Sequence, residues 1–209
     1  MPTSPQPMMA TKEARKLYLA SGNAGKLKEF QVLAEACGKN WRLELLPDYA
    51  KLPEFEEAAP TFAENAAGKA FYYSRQGDGI VFADDSGLVV PALGGAPGVF
   101  SARYAGPGAG SEQKIAKLLF EMKGLEGANR SAHFVCVIAA VRGRRAVAVV
   151  SEKVDGEILD VPRGSEGFGY DPVFFFPPLG KTFAELRAEE KSQHSHRGKA
   201  FRRLLEVLG

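Results

Sequence analysis

The chain has 209 residues, of which 45% are hydrophobic and 25% charged, and its formal net charge at pH 7 is +2. This composition predicts a globular protein with a sizeable core and excludes a disordered chain. It argues against a nucleic-acid-binding surface and against a membrane protein, because no apolar run approaches the roughly 18 residues of a membrane span. Two cysteines without metal-ligand spacing favour a cytoplasmic location. We predict that residues 1–15, which lack a signal-peptide core, form a flexible tail.

The first predicted strand, residues 17–20, leads into the glycine-bearing segment 21–26. Apolar residues then recur at helical spacing, with Gly38 as a stop signal. Strand, loop and helix in this order place free backbone N–H groups and the positive end of a helix dipole at the loop, which suits a phosphate. The segment lacks the spacing of a Walker loop. A plain helix capped by Asn23 therefore remains the alternative.

A second strand is predicted over residues 41–46, followed by an acidic segment, residues 54–60. Thr61 and Glu64 form a capping-box pattern, which predicts a helix over residues 62–75. Acidic residues ahead of a helix are usually solvated or stabilise the helix dipole. One of them could instead reach a metal, and the spacing does not indicate which.

Residues 79–83 are predicted to form a buried strand that ends at two adjacent carboxylates, Asp84 and Asp85. Ser86 and Gly87 follow directly. Neighbouring side chains on a strand point to opposite faces, so only one of the two acids can face a given cleft. Open α/β sheets bind ligands at the carboxyl ends of their strands. A solvated turn fits the same four residues equally well.

The second half of the chain begins with a helix predicted over residues 111–123, with Ser111 as its cap. Two long strands follow, residues 132–141 and 146–154, joined by a basic turn at residues 142–145. These strands are strongly apolar, so we predict that they belong to the core rather than to a site.

Two further segments combine unusual residues. In Gly-Phe-Gly-Tyr-Asp-Pro (residues 167–172) the flanking glycines allow Phe168 to stand off the backbone as a stacking surface, although a turn that folds its aromatics into the core fits as well. Near the C-terminus Ser195 is predicted to cap a final helix, which places His196 and Arg197 in its positive first turn. That placement favours an anionic or carbonyl-bearing ligand.

Five segments, taken together, resemble the non-canonical purine nucleoside triphosphate pyrophosphatases, the inosine/xanthosine triphosphatase or RdgB-like family. They occur in the order of that family and span about residues 16–208. The chain departs from the family at Ser21, where Thr is frequent, and at residues 58–60, where a Thr-Gly pair is usual. The segments are Ser-Gly-Asn-Ala-Gly-Lys (21–26), Thr-Phe-Ala-Glu-Asn-Ala (61–66), Ala-Asp-Asp-Ser-Gly-Leu with Leu-Gly-Gly-Ala-Pro-Gly (83–98), Gly-Phe-Gly-Tyr-Asp-Pro (167–172), and Lys191 with Ser-His-Arg (195–197).

The resemblance implies an elongated α/β fold of the ITPase type, with a long mixed β-sheet and helices that form two lobes around a central substrate cleft. Residues 16–209 would form this single catalytic domain. The implied reaction is hydrolysis of ITP, dITP or XTP to the nucleoside monophosphate and pyrophosphate, with Mg²⁺ as cofactor. The family usually forms homodimers, and nothing in it implies a nucleic-acid or membrane partner.

The resemblance also implies roles for individual residues. Glu57 and Asp85 would bind the metal, Asp85 would accept the proton of the attacking water as the catalytic residue, and Ser86 would contact the substrate. The residues that would hold the triphosphate are Ser21, Gly22, Asn23, Ala24, Gly25, Lys26 and Lys69. Those that would stack on and read the base are Phe168, Gly169, Tyr170, Asp171, Lys191, His196 and Arg197.

Two other functions fit part of the sequence. A pyrophosphatase for modified pyrimidine nucleotides could use the same phosphate and metal residues. A non-catalytic nucleic-acid-binding protein would fit the isoelectric point of about 8.5 and the basic turn at residues 142–145, and would show salt-sensitive binding. The second alternative gives no reason for adjacent carboxylates at a strand end.

Overall fold

The fold is built on a seven-stranded mixed sheet, and the computed structural model describes residues 15–36, 41–76 and 79–209. The strand order is β2-β1-β3-β4-β5-β6-β7, in which β1 pairs with β2 and β3 in parallel and all later pairs are antiparallel. The predicted mixed α/β sheet is therefore confirmed. The strands are β1 Arg15–Leu19, β2 Trp41–Leu45, β3 Ile80–Val89, β4 Ser131–Arg142, β5 Arg145–Ile158, β6 Phe174–Phe176 and β7 Lys181–Thr182.

Helices cover both faces of this sheet, because the strands bury apolar side chains on both sides. Helices α1 and α5 share one apolar cluster with β1, β3 and β4, whereas α2 packs against the opposite face. A third cluster joins α3 to the far half of the sheet. No helix in the described ranges is long and apolar enough to cross a membrane. The helices are α1 Ala24–Ala36, α2 Phe62–Tyr73, α3 Ser111–Glu121, α4 Ala188–His194 and α5 His196–Leu208.

Strand β3 is longer than predicted, and this changes the setting of the two acids. Its parallel pairing with β1 ends at Phe82, but its antiparallel pairing with β4 continues to Val89. Asp84 and Asp85 therefore lie inside β3, just beyond the end of β1, and not after the end of a strand. The apolar run alone could not show this, because β4 supplies the partners that extend the strand.

The ends of several elements follow local signals. Ser195 caps α5 by accepting a hydrogen bond from the backbone N–H of Gly198 at 3.0 Å, as predicted. The predicted basic turn is a two-residue hairpin turn in which Gly143 and Arg144 both have positive φ. Strand β1 begins at Arg15, the last residue of the predicted tail. Residues 1–14 and Gly38 lie outside the described residues.

Two helix boundaries differ from prediction. Helix α2 ends at Tyr73, and a short 3₁₀ turn continues to Gln76. Ser111 is the first residue of α3 and not its cap. The N–H of the preceding Gly110 instead donates to the side chain of Gln113, and the Ser111 hydroxyl accepts from the backbone N–H of Gly169 at 3.1 Å. Ser111 thus fixes the glycine-rich segment around Phe168.

Candidate active site

Two adjoining cavities lie where β1 ends and β3 continues. The larger has a volume of about 790 Å³ and the smaller about 140 Å³, and both are lined by Asn23, Lys26 and Ser86. The larger cavity is also lined by five further residues predicted to bind phosphate or metal, namely Ser21, Gly22, Glu57, Lys69 and Asp85. The smaller cavity holds the residues predicted to bind the base, namely Phe168, Gly169, Tyr170, Asp171, Lys191, His196 and Arg197.

The loop between β1 and α1 forms the junction of the two cavities. The Asn23 side chain accepts from the backbone N–H of Lys26 at 3.0 Å, and Ser21 accepts from the N–H of Asn23. Asn23 thus caps α1, and this cap is compatible with phosphate binding because it uses only one N–H group at the start of the helix. Ala24 and Gly25 line neither cavity. Gly25 lies under the ring of Phe168, and a Cβ at this position would stand 2.6 Å from the ring. The missing side chain therefore allows the loop and the aromatic ring to pack together.

Asp84 points away from the larger cavity and is fully buried. Its carboxylate lies 3.0 Å from Lys26 Nζ and 3.4 Å from Arg197 Nε, and it accepts from the Ser86 hydroxyl at 3.2 Å. Burial alone would raise the pKa of Asp84, but the cations of Lys26 and Arg197 hold the pKa well below its usual range. Asp84 is therefore a permanently ionised anchor for two cations.

Asp85 points to the opposite face and lines the larger cavity. It accepts from the Asn65 side-chain amide at 3.0 Å and from the backbone N–H of Ser86 at 2.9 Å. Burial raises the pKa of Asp85 to about 6 and the charge of Glu57 adds to the rise, against the lowering effect of Lys26. The strand alternation thus separates the two acids, and a carboxyl group suited to proton transfer near neutral pH faces the cavity.

Glu57 reaches the same cavity from the acidic segment before α2. Its carboxylate is paired with Lys69, which the second turn of α2 carries, and Glu57 and Asp84 help to raise the pKa of Lys69 against the opposing effect of burial. Asn65 holds the end of the segment through two hydrogen bonds with the backbone of Ala59, at 2.9 and 3.2 Å. The segment carrying Glu57 is therefore fixed, although its sequence departs from the family pattern.

Glu57 and Asp85 suit Mg²⁺ but not a metal that needs a full set of protein ligands. Within the described residues, no group of three or more His, Cys, Asp or Glu side chains could hold a metal ion. Mg²⁺ binds through one or two carboxylates and completes its shell with water and substrate phosphates. The two acids share a cavity, and Glu57 raises the pKa of Asp85, so a cation between them would relieve their repulsion.

A chain of six alternating charges adjoins the smaller cavity, and four of its members, Lys26, Arg197, Lys191 and Asp171, line that cavity. Its members follow one another as Lys26, Asp84, Arg197, Glu29, Lys191 and Asp171. The sequence analysis missed Glu29, which pairs with both Arg197 and Lys191. Burial would raise the pKa of Glu29, yet these two cations lower it to about 2. The sequence feature that could have identified Glu29 is its position three residues after Lys26, which places both side chains on the same side of α1.

Two of the rings that line this cavity are His196 and Phe168. His196 is buried and stacks on Phe134, with ring centroids 4.6 Å apart, and no described residue forms a hydrogen bond with its Nδ1. Burial and the neighbouring Arg197 hold the pKa of His196 well below its usual value, so the ring is neutral. Phe168 lies 5.1 Å from Lys191 Nζ and 5.6 Å from the Arg197 guanidinium carbon, measured to the ring centroid.

Tyr170 and Asp171 support this arrangement. The Tyr170 hydroxyl donates to the backbone carbonyl of Ser101 at 3.0 Å, and its ring belongs to the core. Asp171 accepts from the backbone N–H of Phe168 at 2.8 Å and pairs with Lys191. The two interpretations of residues 167–172 are therefore each correct for one side chain. Phe168 lines the cavity, and Tyr170 packs into the core.

Comparisons with known proteins show the family of this chain. A family model described as the Ham1 family matches residues 17–207. The dITP/XTP pyrophosphatase of Geobacillus kaustophilus is 48% identical over 92% of this chain and 93% of that protein. A dITP/XTP pyrophosphatase of Thermus thermophilus is 47% identical over 92% of this chain and 91% of that protein. The solved Ham1 protein of Staphylococcus aureus is 39% identical, with a TM-score of 0.80, and the match covers 93% of this chain and 98% of that one.

The Coxiella burnetii HAM1 protein matches with similar coverage, at 40% identity and a TM-score of 0.81. The family match includes every site residue described above, from Ser21 to Arg197. The family resemblance inferred from the five motifs is therefore confirmed. On these grounds the chain belongs to the Ham1 family.

Proposed function

We propose that this protein is a nucleotide pyrophosphatase that hydrolyses ITP, dITP and XTP to the nucleoside monophosphate and pyrophosphate, and so removes these nucleotides from the cellular pool. The observation that carries the proposal is the pair of cavities joined at Lys26 and Ser86. One cavity combines carboxylates with lysines, and the other combines aromatic rings with buried hydrogen-bond donors. A purine nucleoside triphosphate has the matching two halves, and relatives at 47–48% identity are named dITP/XTP pyrophosphatases.

In this proposal each residue has a limited task, because phosphoryl transfer depends mainly on positioning and charge neutralisation. Lys26, Lys69 and the N–H groups at the start of α1 hold the phosphates. Asp85 accepts a proton from the attacking water, and its raised pKa suits this role near neutral pH. Bound Mg²⁺, held by Glu57 and Asp85, would supply charge neutralisation at the phosphate oxygens.

The base pocket favours purines with a keto group at position 6. Such a group accepts hydrogen bonds, and Lys191 and Arg197 are donors only. Neutral His196 can also donate from one ring nitrogen. Adenine carries an amino group at this position, which would leave the buried donors without an acceptor and cost binding free energy.

The decisive experiment is incubation of the purified protein with Mg²⁺ and ITP, XTP, ATP, GTP or a modified pyrimidine triphosphate, followed by product separation. We expect IMP and XMP with pyrophosphate, and turnover of ATP slower by at least about tenfold. GTP shares the 6-keto group, so its turnover measures whether the pocket also discriminates at position 2 of the base. Release of orthophosphate with a diphosphate, or equal turnover of ATP, would contradict the proposal. A preference for the pyrimidine substrate would favour the alternative pyrophosphatase.

Phe168→Ala should mainly weaken substrate binding. Loss of base stacking costs on the order of 1–3 kcal/mol, so we expect the KM for ITP to rise roughly tenfold or more while kcat changes little. Phe120→Ala is a matched control, since Phe120 is an exposed aromatic residue on α3 that lines neither cavity. An unchanged KM in Phe168→Ala would remove this ring from the base site.

The cysteine content and the family resemblance each support one further part of the proposal, the location and the oligomeric state respectively. We propose that the protein acts in the cytoplasm and as a homodimer, which the exposed apolar side chains of Phe71, Tyr72 and Phe100 are consistent with. Light scattering of the purified protein measures its mass in solution directly.

A further inference from the structure

Arg103 lines the larger cavity and belongs to none of the five motifs. It ends the 3₁₀ segment Gly98–Arg103, which packs against β3 directly after the two acids. Gly87 permits this contact, because a Cβ there would stand 2.4 Å from the Gly98 carbonyl oxygen. Ser101 accepts from the Leu88 N–H at 2.9 Å. The backbone that carries Arg103 is therefore held firmly in place.

The guanidinium of Arg103 is also held. Its Nη2 donates to the backbone carbonyl of Glu57 at 2.7 Å, and its Cζ lies 5.1 Å from the centroid of the Phe100 ring. A guanidinium has five N–H donors, and the Glu57 carbonyl is the one hydrogen-bond acceptor it reaches among the described residues. Most of its donor capacity is therefore available to a ligand in the cavity.

Arg103 differs from the other cations at this cavity in how its positive charge is balanced. Lys26 pairs with Asp84 and Lys69 pairs with Glu57, whereas no carboxylate among the described residues forms an ion pair with Arg103. A planar guanidinium binds phosphate oxygens through two parallel hydrogen bonds. An unpaired guanidinium beside two acids that suit Mg²⁺ is therefore well placed to bind a polyphosphate.

The position of Arg103 indicates which phosphates it would contact. The residues shared by both cavities mark the place of the α-phosphate, next to the nucleoside in the smaller cavity. Arg103 lines the larger cavity only, on the side of Glu57 and Lys69. It therefore lies toward the β- and γ-phosphates and away from the base.

We propose that Arg103 is a further catalytic residue, which binds the pyrophosphate part of the substrate and stabilises it as it leaves. The water oxygen forms a bond to the α-phosphorus, and a proton of the water passes to Asp85. The bond from the α-phosphorus to the bridging oxygen breaks, and its electron pair remains on that oxygen as part of pyrophosphate. Arg103 donates to the oxygens on which this negative charge increases. The inference rests on the proposed pyrophosphatase function.

The test compares inhibition by the two products in Arg103→Ala and Arg103→Lys. ITP hydrolysis is measured with added Mg²⁺-pyrophosphate or with added IMP, by following release of the other product. In Arg103→Ala we expect the inhibition constant for pyrophosphate to rise about tenfold to a hundredfold, because charged hydrogen bonds are lost, and kcat to fall. The constant for IMP should change less than about twofold. Arg103→Lys keeps the positive charge but loses the two parallel N–H donors of the guanidinium. Its inhibition constant for pyrophosphate should therefore rise by a smaller factor than that of Arg103→Ala.

Arg130→Ala is the matched control. Arg130 also donates to backbone carbonyls, of Ile158 and Leu125, but lines neither cavity. Both its inhibition constants should equal those of the wild type. Unchanged constants in Arg103→Ala, or equal weakening of both, would overturn the inference. So would a raised Mg²⁺ requirement with an unchanged pyrophosphate constant, which would mean that Arg103 acts only by holding Glu57.

Calorimetric titration of pyrophosphate with Mg²⁺ separates this inference from the proposed function. If the wild type fails to hydrolyse ITP, the proposed function fails. A comparison of pyrophosphate binding by the wild type and by Arg103→Lys still measures whether Arg103 binds pyrophosphate. Thermal melting of each variant shows whether it is folded. Equal pyrophosphate affinity in folded wild type and Arg103→Lys and Arg103→Ala proteins would again overturn the inference.

Discussion

Asp85→Asn should lower the turnover of ITP about a thousandfold or more while the protein stays folded, because the amide cannot accept the proton of the attacking water. The variant also loses one charge of the pair that suits Mg²⁺. Steady-state release of pyrophosphate, measured at saturating Mg²⁺, provides the test. Turnover within about tenfold of the wild type would show that another group is the base.

The stability of this variant is equally informative. Burial raises the pKa of Asp85 from its usual 3.8 to about 6, so the ionised carboxylate destabilises the folded, metal-free protein above about pH 6. That cost decreases as the pH falls through 6 and is absent below about pH 4. Metal-free Asp85→Asn should therefore melt no lower than the wild type at pH 8.

Asp84→Asn is the contrasting variant. It lies one residue away and removes the same charge, but it leaves Lys26 and Arg197 without their shared carboxylate. Breaking a buried ion pair from one side costs about 3–5 kcal/mol. We expect this variant to be strongly destabilised where Asp85→Asn is not. Equal stability of the two variants would contradict the assignment of the two acids to opposite faces.

Glu29→Gln is expected to lower the free energy of unfolding by about 3 kcal/mol at pH 7, since the lowering of the Glu29 pKa from 4.5 to about 2 measures how strongly Lys191 and Arg197 stabilise its charge. This stability is present above about pH 4.5 and is lost as the pH falls toward 2. Urea unfolding at pH 7, 5 and 3 should show the difference shrinking at the lowest pH.

Glu35→Gln is the control for this prediction, because Glu35 lies on the same helix with an exposed side chain. It should change stability by less than about 0.5 kcal/mol. Glu29→Gln should also raise the KM for ITP, since two donors of the base pocket lose their anchor. A Glu29→Gln variant as stable as Glu35→Gln, or one whose deficit persists unchanged at pH 3, would refute the role given to Glu29.

Features determined by near neighbours in the chain were predictable from the sequence. The caps at Asn23 and Ser195 depend on residues three positions away, and the Gly143-Arg144 turn depends on the two strands that flank it. Ser111 shows the limit of such reasoning. It has the right residue type for a cap, but its hydroxyl is used by Gly169, 58 positions later.

The parts of the site that could not be predicted depend on distant partners. Spacing required Asp84 and Asp85 to face opposite ways, and only the family resemblance implied that Asp85 faces the cleft. The physical reason lies in the distant partners of each acid, Arg197 for Asp84 and Asn65 for Asp85. Arg103 is marked by no local pattern, because its contact with Glu57 spans 46 positions. The motifs predicted which segments form the site, whereas the role of each side chain depends on contacts that only the fold creates.

The alternating charges along the base pocket have a consequence for selectivity. Lys26, Arg197 and Lys191 are matched one for one by Asp84, Glu29 and Asp171, so these six side chains carry no net charge before any nucleotide arrives. Among the described residues, Lys114 is the one cation lining this cavity that forms no ion pair. A free phosphate or a small organic anion meets no net attraction from these six side chains. An uncharged purine can enter, and the pocket distinguishes one purine from another by the direction of its hydrogen bonds and by its shape.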